Sequence, residues 1–245
     1  MSLNFNGSTQ YGAADRALAQ PMTWSFWYKP EATVSATMVG GANTSVGGTN
    51  TYYRILHLSG RQLQLIRGTT GVATTANLAT LNAWNHALGI FNTSTNRSIR
   101  LNGGTAVTNT TSVTNASSTN VTIGAFQTNL AVAEYFDGSI AELGIWEVVL
   151  TDAEQLMLSK GVSPLLVRPA SLMLYFPLVG RNSPEIELTN SYNMTLTNSP
   201  TVDVHPRVYM PASWEDLVAN AAPVSPGTRI PKSGVTMLTS PIGIV

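Results

Sequence analysis

Short apolar runs, each closed within a few residues by a glycine- or asparagine-centred turn, fill most of this sequence, and that rhythm decides the fold class. Thr23-Trp24-Ser25-Phe26-Trp27-Tyr28 is rich in aromatics and stops at Lys29-Pro30, as a strand does when it meets proline. Residues 52–58 and 62–67 flank Ser59-Gly60-Arg61, which reads as a hairpin with glycine in the tight turn. In the second of these runs, alternation puts Leu63 and Leu65 on one face and the glutamines on the other. Residues 85–91 and 97–101 form another pair, ending at Asn102-Gly103-Gly104. Residues 121–124, 138–146, 171–176 and 193–197 supply further strands, the last two returning to complete the layers. Regular strands with such turns predict an all-β sandwich of two antiparallel sheets.

One helix interrupts the pattern. Thr151-Asp152-Ala153-Glu154 is a capping box, in which the Thr151 hydroxyl accepts from the Glu154 amide while the Glu154 carboxylate reaches back. Leu156, Met157 and Leu158 are expected to form its apolar side, and Gly161 to end it. Asp152 and Glu154 read as cap and dipole partners, not as a catalytic acid pair.

Composition narrows the chemistry. The 245 residues include no cysteine, so the core must hold without disulfides, and thiolate metal sites and cysteine nucleophiles are excluded. Thirteen basic residues balance thirteen acidic ones, leaving no basic excess with which to meet nucleic acid. Charged residues make up 11% of the chain, against about 25% in an ordinary soluble domain. Thr, Ser and Asn supply the surface instead, notably across 92–120. No run approaches the roughly 20 apolar residues of a membrane span, and Met1-Ser2-Leu3-Asn4-Phe5 opens with neither a basic nor an apolar signal region. A soluble product made in the cytoplasm is expected.

From His205-Pro206 the character changes. Ser213-Trp214-Glu215-Asp216 reads as a short capped helix, and beyond it Pro223, Pro226, Pro231 and Pro241 exclude a long helix or a central strand. The expected division is a sandwich over 1–210 and a short helix with an extended proline-rich arm over 211–245. The arm is too apolar for a solvated linker. Ile230, Val235, Met237, Leu238, Ile242 and Ile244 are its candidate anchors on a partner, with Trp214 and Leu217 at its root.

Several motifs carry a family likeness. Phe5-Asn6-Gly7, Tyr11 and Trp24-Ser25-Phe26-Trp27-Tyr28-Lys29-Pro30 resemble the opening of a laminin-G-like, concanavalin A-type jelly roll. Ala83-Trp84-Asn85-His86-Ala87 and Arg100-Leu101-Asn102-Gly103 resemble later landmarks of that family. So does Tyr135-Phe136-Asp137-Gly138-Ser139-Ile140-Ala141-Glu142-Leu143-Gly144-Ile145-Trp146 followed by Leu150-Thr151-Asp152-Ala153-Glu154. The resemblance implies a jelly-roll sandwich. Its members include glycan binders, often with calcium, and glucanases.

A glucanase needs two carboxylates about 5–9 Å apart. Here Ala141 stands where the family pattern has Asp, and Glu147 lies at an odd offset from Glu142, so a regular strand would turn the two to opposite faces. No enzyme activity is expected, and Glu142 reads as an anchor for loop backbone. No cofactor is expected either; calcium is left open only through Asp137 and backbone carbonyls, because Asp15, Glu134 and Asp137 are scattered. His57, His86 and His205 have no metal-ligand spacing.

The segments Asn193-Met194-Thr195-Leu196-Thr197, Thr201-Val202 and His205-Pro206-Arg207-Val208-Tyr209-Met210-Pro211 resemble the endings of laminin-G-like structural proteins of tailed bacteriophages. The expected function is therefore a virion structural protein, a capsid decoration (cement) protein whose arm binds the major capsid protein or other virion subunits, itself a homo-oligomer. The alternative is a lectin-like adhesion module on a phage head or tail fibre, with Tyr52 and Tyr53 as rings for sugar faces. Neighbouring strand residues point to opposite sides, so at most one of the two can face outward.

Overall fold

A computed structural model of the protein describes residues 1–44, 52–113, 118–128, 131–180, 183–190 and 192–209. In chain order its strands are β1 (Ser2–Asn6), β2 (Tyr11–Ala14), β3 (Met22–Pro30), β4 (Ala36–Ala42), β5 (Tyr52–His57), β6 (Leu63–Arg67), β7 (Gly71–Thr74), β8 (Asn85–Thr93) and β9 (Asn96–Leu101). There follow β10 (Val107–Asn109), β11 (Val121–Ile123), β12 (Phe126–Gln127), β13 (Val132–Ala133), β14 (Asp137–Trp146), helix α1 (Asp152–Ser159), β15 (Leu172–Phe176), β16 (Thr195–Thr197) and β17 (Thr201–Asp203). An eight-stranded sheet runs β10-β9-β8-β3-β14-β1-β17, with β15 also on β14, and faces a seven-stranded sheet ordered β16-β2-β11-β4-β5-β6-β7. Among the described residues the named strands all pair antiparallel. This is the sandwich the sequence predicts, and residues 172–176 and 195–197 do return to it.

The core follows from strand alternation. Trp24, Phe26 and Tyr28 of β3 are buried between the sheets with Ile55, Leu63 and Leu65 from the other layer. Trp24 and Tyr53 each meet Phe91 edge-on, at centroid distances of 5.1 and 5.0 Å, the geometry that aromatic quadrupoles favour.

A second apolar cluster lies on the outer face of the eight-stranded sheet. There Leu88, Ile90, Trp146 and Tyr175 pack with Leu150, Leu158, Val167 and Leu172. The outward-facing Thr23 is consequently buried too, and its hydroxyl donates to the Val148 carbonyl at 2.8 Å while accepting from the Leu150 amide at 3.1 Å.

The capping box forms: Glu154 Oε2 accepts from the Thr151 amide at 2.7 Å, and Thr151 Oγ1 accepts from the Glu154 amide at 3.4 Å. Gly161, at φ 88°, takes the left-handed conformation that follows the helix. The expected apolar face is corrected. Leu156 and Met157 are 48% and 42% exposed, whereas Gln155 and Leu158 are buried. Positions three apart share a helix face, and Gln155 occupies the inner one because its amide donates to the Leu150 carbonyl at 2.7 Å. In the hairpin turn at 59–61 the left-handed residue is Arg61 (φ 66°), not the glycine.

Candidate functional site

Tyr52 and Tyr53 open β5 and part company at once. Tyr53 points into the core, 1% exposed, against Trp24 and Phe91. Its proposed role as a surface ring is therefore corrected by the pleat, which sends alternate side chains to opposite faces. Tyr52 faces outward and stays half-buried. Its ring meets Phe126 of β12 edge-on at 5.2 Å, and the Arg54 guanidinium lies over both rings, 5.2 Å from Tyr52 and 4.9 Å from Phe126.

Glu134 completes this group. Its carboxylate accepts from Arg54 Nη1 at 2.7 and 2.6 Å and from the Thr37 hydroxyl at 2.8 Å. The Tyr52 hydroxyl has a raised pKa because burial disfavours the phenolate; Arg54 opposes the shift and Glu134 adds to it. Gly40, on the adjacent strand β4, makes room for this arrangement. A Cβ there would come within 3.1 Å of the Phe126 ring and 3.0 Å of Thr122 Oγ1. The result is a patch of planar groups on the outer face of the seven-stranded sheet, with a guanidinium and a carboxylate fixed beside an aromatic ring. Nothing in the sequence pairs Phe126 and Glu134 with Arg54, because the hairpin of β12 and β13 brings them there.

Glu142 sits on the opposite layer. It has φ 58° where the pairing of β14 with β3 shifts register between Ala141 and Gly144, and its carboxylate is 1% exposed. Oε2 accepts from the Tyr175 hydroxyl at 2.8 Å, and Oε1 lies 3.2 Å from His205 Nε2. The carboxylate therefore holds a phenol and an imidazole, while the residue ties loop backbone through its amide, which donates to the Pro177 carbonyl at 3.2 Å. Glu147 is exposed and pairs with Arg16 at 3.2 Å. The two carboxylates thus have separate partners in separate environments.

The remaining histidines are core residues. His86 Nε2 lies 2.8 Å from Ser25 Oγ, and burial lowers its pKa to about 3. His57 has a pKa lowered to about 4 by burial, assisted by the Arg61 charge, and both its ring nitrogens lack a hydrogen-bond partner. Among the described residues no three His, Cys, Asp or Glu side chains gather as metal ligands. Asp137 carries a raised pKa, from partial burial and then from Glu31. Trp214, Leu217, Ile230, Val235, Met237, Leu238, Ile242 and Ile244 lie outside the described residues.

Residues 5–154 match the model of the Laminin_G_3 family, described as the concanavalin A-like lectin/glucanases superfamily. The chain belongs to this family. No curated protein matches the sequence. Among solved structures, a candidate carbohydrate-binding protein from Bacteroides ovatus superposes with a TM-score of 0.59 at 15% identity, over 85% of this chain and 62% of its own. The heptameric SAP-like pentraxin of Limulus polyphemus does so with a TM-score of 0.53 at 15% identity, over 64% of this chain and 80% of its own. At such identities the likeness is one of fold. Among the described residues no helix of this family member is long and apolar enough to cross a membrane.

Proposed function

We propose that this laminin-G-like domain is a non-catalytic virion structural subunit, a capsid decoration protein that docks onto shell subunits through the side where its chain leaves the sandwich. The supporting observation is the distribution of exposed apolar side chains. Ile186, Leu188, Val202, Val204 and Tyr209 are 49, 41, 46, 76 and 70% exposed, all within the last two described stretches, 183–190 and 192–209. Val202 lies in β17, at the edge of the eight-stranded sheet, and the Leu188 amide donates to the Tyr175 carbonyl of β15 at 3.0 Å, so both border that sheet. Full burial of one such side chain is worth about 1.5–3 kcal/mol, so several of them favour a protein partner. The same side leads into the apolar, proline-punctuated sequence 211–245, and prolines there would limit the entropy lost on docking. The non-catalytic reading is supported by Glu142, whose carboxylate is committed to Tyr175 and His205.

The test is co-sedimentation of the purified protein with shells assembled without it. Deletion of Pro223 to Val245, and separately Val204→Asp with Tyr209→Ser, should abolish binding and leave the sandwich folded by circular dichroism. Full binding by both variants would refute the docking role.

Glycan adhesion is a second reading, favoured by the patch of Tyr52, Arg54 and Glu134 and by the binding role ascribed to the Bacteroides ovatus fold neighbour. A glycan array probed with and without calcium addresses it. Micromolar binding that disappears in Tyr52→Ala would support this reading, and an array blank under both conditions would remove it.

A further inference from the structure

After β17 the chain turns from the sheet edge onto the outer face of the eight-stranded sheet and runs to the end of α1. Ser2 Oγ donates to the Val204 carbonyl at 3.3 Å. Farther on, the Tyr209 amide donates to the Gly161 carbonyl at 2.6 Å, and the Ser163 amide donates to the Tyr209 carbonyl at 3.0 Å. Between these two ties stands His205, its side chain 18% exposed, reaching down to Glu142.

The groups facing that imidazole are all acceptors. Nδ1 lies 2.8 Å from the Pro206 carbonyl, and Nε2 lies 3.4 Å from the Pro177 carbonyl and 3.2 Å from Glu142 Oε1. A neutral imidazole has one N–H and one lone pair, so it can satisfy only one side; the imidazolium donates from both nitrogens. Glu142 needs that cation as much. Its carboxylate is 1% exposed on β14, Oε2 is taken by the Tyr175 hydroxyl from β15, and Oε1 makes no aligned hydrogen bond, so charge carries its contact with His205. Among the described residues His205 is the cation paired with it. A buried carboxylate stripped of its cation is costly.

We propose that His205 and Glu142 form a proton-operated latch: the protonated imidazole fixes residues 204–209 on the eight-stranded sheet, and loss of that proton releases them. The direction of the His205 pKa agrees. Burial pulls it down, but Glu142 and the Pro206 and Pro177 carbonyls outweigh burial and leave it above the ordinary 6.5. A raised histidine pKa gives stability that is complete below the unfolded value and is lost as pH climbs through the folded one. The neighbouring pair of Lys29 and Asp203 stays out of this range. Burial works against both charges, yet Asp203 and Glu31 raise Lys29 above 10.5, and Lys29, the Val204 amide and the Ser139 hydroxyl lower Asp203 below 3.8.

Release would lengthen whatever follows Tyr209 by six residues of free chain, about 20 Å at full extension. The latch involves described residues alone and does not depend on what the domain binds.

The experiment follows the full-length protein by NMR titration of the histidine rings and by hydrogen exchange. His205 should titrate above 6.5. The Tyr209 and Ser163 amides, whose hydrogen bonds tie the segment down, should, once corrected for intrinsic exchange, lose protection between about pH 6 and pH 9, by a factor of ten for each unit of the measured His205 shift. His205→Gln should exchange at the low pH as fast as the wild type does at the high one. Glu142→Gln should bring His205 to 6.5 or below and flatten the exchange profile; should that core variant unfold, His205→Gln still decides the matter. Titration of His205 at or below 6.5 in the wild type would overturn the latch. So would equal protection at the two pH values, or wild-type protection in His205→Gln.

Discussion

His57 should make this protein sensitive to acid, by an amount that can be worked out. Its ring is 1% exposed, both nitrogens lack hydrogen-bond partners, and its pKa is held at about 4 by burial and by the Arg61 charge. In the unfolded chain the ring titrates near ~6.5. Above that value the folded and unfolded rings are both neutral and His57 contributes nothing to the pH dependence. As pH falls through ~6.5 only the unfolded ring takes up its proton, and the folded state loses stability until the ring inside also titrates. At pH 5 the unfolded ring is almost fully charged and the folded one about a tenth charged, which integrates to a penalty of about 2 kcal/mol. For a domain of this size that is roughly 4–8 °C in Tm.

The perturbation is His57→Phe, with urea unfolding followed by tryptophan fluorescence from pH 7.5 to about 5. Wild type should lose about 2 kcal/mol more than the variant across that interval. His86 and His205 remain in both proteins and cancel in the difference. Phenylalanine also removes two unsatisfied nitrogens and so offsets the variant's curve at pH 7.5; only the divergence between the curves is the readout. Parallel curves would refute the reasoning, as would an NMR titration of His57 near the ordinary value.

Two further outcomes follow from the packing. Tyr53→Ala empties a site between the sheets and should cost about 3–5 kcal/mol in urea unfolding, whereas Tyr52→Ala on the outer face should cost about 1 kcal/mol or less; equal costs would mean the ring directions are wrong. Thr151→Ala removes the α1 cap and should cost about 1 kcal/mol by thermal melt, while Met157→Ser on the exposed side should stay within about 0.5 kcal/mol.

Period-two alternation made much of this architecture legible. The inward set of β3 needs only that rule, and the α1 cap needs only the spacing of Thr151 and Glu154. Alternation fails where the backbone departs from a regular strand. The register shift that turns Glu142 toward Tyr175 and His205 depends on a left-handed residue in mid-strand, which no pattern of residue types announces. Glu134 is another left-handed residue, at φ 54°, and reaches Arg54 from 80 positions away. The face of α1 departs from hydrophobic patterning for a different reason. A short helix touches the sheet along a narrow stripe, and a hydrogen-bonded glutamine can hold a place there that hydrophobicity would assign to leucine.

The placement of β1 also governs how the molecule must come together. It lies between β14 and β17, so both its neighbours are strands synthesised more than 130 residues after it. Within this domain β1 therefore has no hydrogen-bonding mate until residues 137–140 have emerged. Closure of the sheet then requires bringing the two ends of a long loop together, which makes for slow folding. Meanwhile Leu3 and Phe5 wait in water with a bare backbone edge beside them, the point at which a nascent chain would most readily pair with a stranger.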